Sequence, residues 1–211
     1  MGRIQVHGHR GARARMPENS IAAFEYAISV GVDAIEMDVT LTPDRRVVIS
    51  HDPVADASGL PSLGDALQLA GRGKFEFNIE MKGFPEHPRY APPEEFARLV
   101  LDPLRPLSGR VMIQSFDFTL LAAVKSRAPE MPLSPLIAGD RRPFEQIAAG
   151  FEMISPEFHL ATAAKVAAAH RAGLKVLVWT VNTPEDWERM IAAQVDAIIT
   201  DNPAELVRRL G

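Results

Sequence analysis

Short apolar runs rich in branched residues alternate along the chain with longer stretches in which apolar positions recur every three to four residues. The short runs predict buried strands, and the longer stretches predict helices with one apolar face. The predicted strands span residues 4–9, 33–39, 75–81, 110–115, 132–137, 151–155, 174–181 and 195–201. The predicted helices span residues 19–30, 62–71, 93–104, 117–128, 143–149, 160–172, 183–193 and 203–210. Each predicted strand is therefore followed by a predicted helix.

Residues at the helix ends agree with these bounds. A serine, threonine, asparagine or aspartate before a helix can accept a hydrogen bond from one of its free backbone N–H groups. Such residues precede five of the predicted helices, namely Asn19 or Ser20, Ser62, Asp117, Thr183 and Asn202. Gly31 and Gly173 follow predicted helices, where a left-handed residue commonly ends the helix.

Eight strand–helix pairs in sequence predict a parallel sheet, and this number indicates an α/β fold of the closed (β/α)8 TIM barrel type. With 211 residues the chain is near the small end of that fold. We expect a single domain over residues 1–211.

The composition narrows the functional class. Hydrophobic residues make up 46% of the chain, charged residues 24%, and the net charge is −4, so no nucleic-acid partner or basic membrane surface is expected. Cysteine is absent, which excludes disulfides and thiolate metal sites and fits a cytoplasmic location. No apolar run approaches the ~20 residues of a membrane span, and the first residues lack the apolar core of a signal peptide. We expect a cytoplasmic enzyme without an integral membrane segment; the oligomeric state is not predicted.

Polar residues interrupt the predicted strands near their carboxyl ends, which form one face of such a barrel and carry its chemistry. Strand 33–39 contains Glu36 and Asp38, and an antiparallel return over "RRVVISHD" ends in His51. Other strands end in His9, Arg10, Glu80, Lys82, Gln114 and Trp179. The sequence therefore predicts an active site at this face.

The carboxylates suggest a metal site. Glu36 and Asp38 are two residues apart, so they share one face of their strand, and Glu80 lies at the end of the next parallel strand. Three carboxylates in one mouth repel each other unless a positive charge lies between them, and Mg²⁺ or Ca²⁺ takes such oxygen ligands. The alternative is a buried ion network in which Glu80 pairs with Lys82 or Arg10.

The two histidines suit general acid–base catalysis, because an unperturbed imidazole titrates near ~6.5. A displacement at phosphorus needs a base for the nucleophile and an acid for the leaving oxygen. His9 and His51 can take these roles, while Arg10 and Lys82 would neutralise phosphate oxygens.

The motifs occur in a diagnostic order. "HRG" (9–11), "PEN" (17–19), "EMD" (36–38) and "HDP" (51–53) are followed by "PSLGDAL" (61–67), "NIEMK" (78–82), "QSFD" (114–117) and "VWTVN…ITDNP" (178–203). Over essentially its whole length the chain resembles the glycerophosphodiester phosphodiesterase family.

This resemblance implies a (β/α)8 barrel of the phospholipase C-like phosphodiesterase type. Its activity would be the metal-dependent hydrolysis of small-molecule glycerophosphodiesters to sn-glycerol 3-phosphate and an alcohol. By resemblance, Glu36, Asp38 and Glu80 would hold Mg²⁺ or Ca²⁺, with Mn²⁺ as a further candidate. His9 and His51 would be the acid–base pair. The substrate and its phosphate would contact Arg10, Lys82, Gln114 and Trp179.

One segment departs from the family pattern. Between Pro53 and Pro61 only "VADASGL" intervenes, where family members carry a small insertion beside the active site. The chain is thus a short form, and its alcohol preference is open. An alternative activity is the lysophospholipase D-like hydrolysis or cyclisation of lysophospholipids. A third interpretation is a catalytically idle barrel with a binding role.

Several neighbouring residues have two interpretations. His7 is interpreted as a hydrogen-bonded residue of the barrel interior, with a third catalytic imidazole as the alternative. Asp52 can orient His51 or cap a turn. Residues 17–19 are expected to form helix-cap and loop architecture, in which Glu18 can also brace Arg10 or the residues around the metal. Asp201 and Asn202 are expected to cap the last helix, and Trp179 to line the pocket rather than the core.

Overall fold

Eight parallel strands close into a barrel in the computed structural model, which describes residues 2–87, 91–107 and 109–211. They are β1 (Gln5–Gly8), β2 (Ala34–Leu41), β4 (Glu76–Met81), β5 (Val111–Ser115), β6 (Leu133–Ile137), β7 (Met153–Pro156), β8 (Lys175–Val178) and β9 (Ala197–Thr200). A further strand, β3 (Val47–Ile49), runs antiparallel to β2. The barrel closes because β1 pairs with both β2 and β9. The predicted (β/α)8 barrel and its β2–β3 return are confirmed.

The helices cover the outside of the barrel. They are α1 (Ile21–Ser29), α2 (Leu63–Leu67), α3 (Pro93–Leu104), α4 (Phe118–Arg127), α5 (Phe144–Ile147), α6 (Ala163–Arg171), α7 (Pro184–Ala193) and α8 (Pro203–Leu210). Six of the eight are shorter than predicted. Two of these differ in kind: α5 has one turn, and α2 gives way to a 3₁₀ helix, Gln68–Arg72. The second change includes Gly71, and glycine is the poorest helix former apart from proline.

Most of the predicted caps are present. Ser20, Ser62, Asp117 and Thr183 each accept a hydrogen bond from a backbone N–H of the following helix. Gly31 and Gly173 have φ of +86° and +81°, as expected after a helix end. The prediction is wrong for Asn202, which precedes α8 without a capping hydrogen bond from its side chain.

The barrel interior changes character along its axis. Towards the amino ends of the strands it holds an apolar cluster of Met112, Met153, Leu177 and Ala197. Two residues further along the same strands, Gln114 follows Met112 and Ser155 follows Met153, and both are buried. They belong to a hydrogen-bonded layer that also includes His7, Asn78 and Ser134. The interior therefore becomes polar before it reaches the mouth.

His7 lies in this polar layer. Its side chain is fully buried, with Nε2 3.3 Å from the Gln5 Oε1 and Nδ1 3.3 Å from the Asn78 Nδ2. Burial lowers the pKa of His7 to about 4, although the charge of Asp33 opposes the shift. The interpretation of His7 as a hydrogen-bonded interior residue is confirmed. In the part of the chain that the structure describes, no helix combines the length and apolar character needed to cross a membrane.

Candidate active site

Three carboxylates meet at the carboxyl ends of β2 and β4. Glu36, Asp38 and Glu80 are all buried, and the strand register pairs Asp38 with Glu80. One oxygen from each of the three lies within 4.8 Å of the others, so the group could hold a metal ion. The period-two pattern of β2 and the parallel pairing with β4 produce this arrangement.

Burial and mutual repulsion set the ionisation of these groups. Burial, followed by the charges of Asp38 and Glu80, raises the pKa of Glu36 well above its usual value. Burial also raises the pKa of Glu80 to about 7, against the opposing charge of Lys82. For Asp38, burial acts in the same direction, but the charges of Lys82 and Arg10 outweigh it and lower its pKa. The cluster is therefore short of positive charge around Glu36 and Glu80.

Two cations lie among the carboxylates. The Lys82 Nζ is 2.6 Å from the Glu80 Oε1 and 3.3 Å from the Asp38 Oδ1. The Arg10 Nε is 3.0 Å from the Asp38 Oδ2, and its Nη1 donates to the Glu18 Oε1 at 2.8 Å. The pairing of Glu80 with Lys82 that the ion-network alternative foresaw is thus present, whereas Arg10 pairs with Asp38. The expected bracing of Arg10 by Glu18 is confirmed.

These pairs leave one carboxylate oxygen without a hydrogen bond. Within the described residues, the buried Asp38 Oδ1 has no hydrogen-bond partner, because the Lys82 ammonium is near it but not in hydrogen-bonding geometry. A hard divalent cation takes such carboxylate oxygens as ligands. The donor set of Glu36, Asp38 and Glu80 therefore fits a divalent ion.

Asn19 holds Asp38 in place. Its Nδ2 donates to the Asp38 Oδ2 at 2.8 Å, and its Oδ1 accepts from the Asp38 backbone N–H at 3.2 Å. Asn19 is buried with φ of +56°, a left-handed conformation that asparagine tolerates better than most residues. Of the two cap candidates, Ser20 caps α1, and the Asn19 amide binds the Asp38 carboxylate instead.

His9, at the end of β1, is bound by an aspartate from the far end of the chain. Its Nδ1 lies 2.6 Å from the Asp201 Oδ1, and the Asn182 Nδ2 donates to the Asp201 Oδ2 at 2.8 Å. The predicted capping role of Asp201 is wrong, since its carboxylate bonds to His9 and Asn182. Gly8 pairs with Thr200 in the strand register, so the next residues, His9 and Asp201, become neighbours when the barrel closes. The closed barrel predicted from the sequence already implies that its first and last strands are neighbours, and this was the available signal for the His9–Asp201 contact.

His51 follows β3 and is more exposed. Its Nδ1 lies 2.7 Å from the Asp52 Oδ1, which decides between the two interpretations of Asp52 in favour of orienting His51. The return of β3 along β2 brings this loop to the carboxylates, since the Ser50 N–H donates to the Asp38 backbone oxygen at 3.1 Å. The charge of His51 is among those that lower the pKa of Asp38, after the charges of Lys82 and Arg10.

The remaining predicted residues, Gln114 and Trp179, differ in depth. Gln114 is buried in the polar layer, where its Nε2 donates to the Glu36 Oε1 at 3.4 Å, so it reaches the site through Glu36. Trp179 is half-buried at the mouth, and its Nε1 donates to the Ser155 backbone oxygen at 2.8 Å. Its ring meets that of Phe116 edge to face, with centroids 5.5 Å apart. Phe116, inside the "QSFD" motif, was not singled out from the sequence.

Fold and site together define a TIM-barrel hydrolase. At one mouth lie two histidines bonded to aspartates, three carboxylates that could hold a metal ion, and the cations Arg10 and Lys82. Such a mouth suits an anionic ester, because cations near the reaction centre stabilise charge that develops during the displacement.

Comparisons with known proteins specify this class further. The model of the glycerophosphoryl diester phosphodiesterase family matches residues 9–59 and 53–205. The chain belongs to this family. The two matched segments overlap at residues 53–59, directly after the "HDP" motif.

Individual relatives agree with the family assignment. A glycerophosphodiester phosphodiesterase from Caldanaerobacter subterraneus subsp. tengcongensis is 32% identical over 237 aligned positions, covering 96% of each chain. A crystal structure from Silicibacter pomeroyi DSS-3, assigned provisionally to the glycerophosphoryl diester phosphodiesterases, has a TM-score of 0.88 at 30% identity. The match covers 98% of this chain and 92% of that one.

A third relative has the same fold at lower identity. It is an Oleispira antarctica phosphodiesterase solved in complex with the product sn-glycerol-3-phosphate, with a TM-score of 0.88 at 20% identity and coverage of 99% and 96%. The Caldanaerobacter alignment is longer than the 211 residues of this chain, so that relative has residues that the present chain lacks. This agrees with the short form expected from the sequence.

Proposed function

We propose that this protein hydrolyses glycerophosphodiesters to sn-glycerol 3-phosphate and an alcohol, with the help of a divalent cation. The observation that carries the proposal is the meeting of two aspartate-bound histidines with the Glu36, Asp38 and Glu80 group at one barrel mouth. Family membership supports the substrate class. The Oleispira complex supports a small-molecule substrate, since that protein of the same fold binds sn-glycerol 3-phosphate.

His9 and His51 would share the proton transfers. In each histidine the Nδ1 is bonded to an aspartate, which leaves the Nε2 to exchange a proton with the substrate or with water. One imidazole would take the proton of the attacking water, and the other would protonate the leaving alcohol oxygen. The aspartates would fix the orientation of both rings and stabilise their protonated forms.

Positive charge would come from three sources. Arg10 donates a hydrogen bond from its Nη1 to Glu18, and its Nε lies near Asp38 without a hydrogen bond, so donors of this guanidinium would be available for a phosphate oxygen. Lys82 would neutralise a second oxygen from its position beside Glu80. A divalent cation held by Glu36, Asp38 and Glu80, whether Mg²⁺, Ca²⁺ or Mn²⁺, would polarise the phosphate group. Gln114 and Asn19 would keep Glu36 and Asp38 in position.

The test is a product assay on glycerophosphocholine, glycerophosphoethanolamine, glycerophosphoglycerol and a lysophospholipid, with and without EDTA. We expect sn-glycerol 3-phosphate from the diesters, loss of turnover after chelation, and recovery with Mg²⁺, Ca²⁺ or Mn²⁺. Lysophosphatidic or cyclic phosphatidic acid as the main product would instead indicate the lysophospholipase D-like activity. Absence of turnover on every substrate would indicate an idle barrel, and full turnover after rigorous chelation would refute the metal site.

Two further expectations remain predictions. Residues 1–211 are proposed to form one catalytic domain, and the cytoplasmic location is proposed from the absence of cysteine. Limited proteolysis would check the first, since a single resistant core is expected. Cell fractionation of the source organism would check the second.

A further inference from the structure

The rim of the barrel has a second arc that the proposed chemistry does not use. The carboxylates and His9 lie on β1, β2 and β4, whereas β5, β7 and β8 form the facing arc. Alternate residues of these three strands point into the barrel, as the buried cluster containing Met112, Met153 and Leu177 establishes. Continuing this alternation to the mouth gives Phe116, Glu157 and Trp179. These three residues, here called the aromatic–acidic arc, therefore face the mouth.

Glu157 has an unusual environment. It is half-buried and follows β7, and its backbone forms a parallel bridge with Trp179, which places the two residues side by side. It precedes the 3₁₀ helix Phe158–Leu160 without capping it through its side chain. Its carboxylate has neither a hydrogen bond nor an ion pair to any residue that the structure describes. A partly desolvated carboxylate without a partner favours binding of a cation from outside.

The two aromatic rings complete this environment. The Trp179 N–H is occupied by the Ser155 backbone oxygen, which fixes the orientation of the indole. Phe116 packs its ring against Trp179 with an interplanar angle of 87° and is 46% exposed, so its ring is accessible from the mouth. The faces of aromatic rings carry negative electrostatic potential and attract alkylammonium groups. Rings and carboxylate thus favour the same kind of ligand.

We propose that Phe116, Glu157 and Trp179 bind the ammonium group of the alcohol in the diester, as in a choline or ethanolamine ester. This inference rests on the proposed function, because it extends the same site towards the leaving alcohol. The two arcs carry opposite charges in the required places: Arg10 and Lys82 face the phosphate, and Glu157 faces the ammonium. A zwitterionic diester matches both. Only seven residues, 54–60, separate Pro53 from Pro61 beside this mouth.

The decisive experiment distinguishes recognition of the ammonium charge from recognition of the shape of the alcohol. We would measure kcat/KM for glycerophosphocholine and for its 3,3-dimethylbutyl isostere, which has the same shape without the charge, in the native chain and in Glu157→Gln. The variant should lose about tenfold on the choline ester and change little on the isostere, as expected for loss of one electrostatic contact. Equal losses on both esters, or no loss on either, would overturn the proposal. Glu152→Gln, at the exposed amino end of the same strand, is the matched control and should behave as the native chain.

A second pair of variants tests the rings. Phe116→Leu should lower kcat/KM more for the choline ester than for the isostere. The control is Phe118→Leu, because Phe118 is also exposed but packs against Phe151; this variant should affect kcat/KM for the two esters equally. If both leucine variants behave alike, Phe116 does not contact the ammonium group.

A direct binding measurement tests the ammonium subsite without depending on diester hydrolysis. Tetramethylammonium chloride would be titrated against the native chain and Glu157→Gln while tryptophan fluorescence is followed. The signal should change through Trp179, because Trp187 is buried with its N–H bonded to Val181. Saturable binding in the native chain that weakens in the variant supports the subsite even if no diester is hydrolysed, in which case the proposed function alone fails. Diester hydrolysis with no tetramethylammonium binding would refute the subsite alone.

Discussion

His9 and His51 each bond an aspartate through Nδ1, but the two pairs are built differently. His9 and Asp201 are 192 residues apart, have 13% and 14% exposed side chains, and meet where the last strand closes on the first. His51 and Asp52 are adjacent in sequence, and their side chains are 40% and 83% exposed. The first pair depends on the whole barrel, and the second is a local feature of one loop. A hydrogen bond between partly buried groups should be stronger than one that water screens.

The largest effect should come from removing either imidazole. His9→Ala and His51→Ala should each lower kcat/KM for glycerophosphocholine by roughly 10²–10⁴-fold, the usual contribution of a general acid or base. Circular dichroism would verify that both variants fold. If either variant keeps a near-native rate on a substrate with a poor leaving group, its histidine has been assigned the wrong role.

Replacing each aspartate tests whether the buried His9–Asp201 pair contributes more to activity than the exposed His51–Asp52 pair. Asp201→Asn should lower kcat/KM by on the order of 10²-fold, and Asp52→Asn by less than about tenfold, because only Asp201 acts in a partly buried environment. Burial alone would raise the pKa of Asp201, but its bonds to His9 and Asn182 and the charge of Arg13 lower it, so it is a carboxylate when His9 accepts a proton. Steady-state kinetics with both variants provide the measurement. Losses of equal size would show that burial and bracing do not distinguish the pairs.

A smaller effect is expected at Asn182, which braces Asp201 without contacting His9. Asn182→Ala should lower kcat/KM by a few-fold to about tenfold, since one hydrogen bond is worth roughly 1 kcal/mol. In a double variant with Asp201→Asn the two losses should not add, because the residues share one network. Additive losses, measured by the same assay, would contradict this coupling.

The smallest effect on activity should come from His7, the buried histidine outside the site. His7→Gln should leave kcat/KM nearly unchanged but alter the pH dependence of the unfolding free energy. The unfolded imidazole binds a proton below about 6.5, and the folded one only below about 4, so the native chain loses stability as pH falls between these values. The loss should reach about 3 kcal/mol and be absent from the variant.

Chemical denaturation of both chains from pH 7 to pH 4 would measure this difference. Glu80, with its pKa raised to about 7, acts in the opposite direction, adding stability as pH falls from 7 towards its usual value. This contribution is common to both chains and cancels in the comparison. Parallel pH profiles for the two proteins would show that His7 does not titrate as inferred.

Local patterns predicted the parts of the site that lie close together in sequence. The spacing of Glu36 and Asp38 placed both on one face of β2, and the return over β3 correctly brought the His51 loop back to this strand. Asp52 was a candidate partner of His51 because it is the next residue. The caps at Ser62 and Asp117 were likewise readable, since a cap depends on only a few residues around a helix start.

Contacts between distant segments escaped the same patterns. Asp201 and Asn19 were predicted as cap residues from their positions before helices. In the structure, the pairing of β9 with β1 places Asp201 beside His9, and the Asn19 amide binds Asp38. Phe116 and Trp179 are separated along the chain, and their edge-to-face contact depends on the barrel diameter. The parallel pairing of β2 with β4 brings the Lys82 ammonium close to Asp38 as well as to Glu80.

From the sequence alone it was determined that this chain forms a (β/α)8 barrel with carboxylates, histidines and cations at the carboxyl ends of its strands. Those features depend on residue type and on periods of two or three to four residues, which are local properties. The tertiary structure alone decided which aspartate serves His9, which asparagine holds Asp38, and that Glu157 stands beside Trp179. Barrel closure sets these pairings, because the register between strands distant in sequence fixes which side chains meet at the mouth.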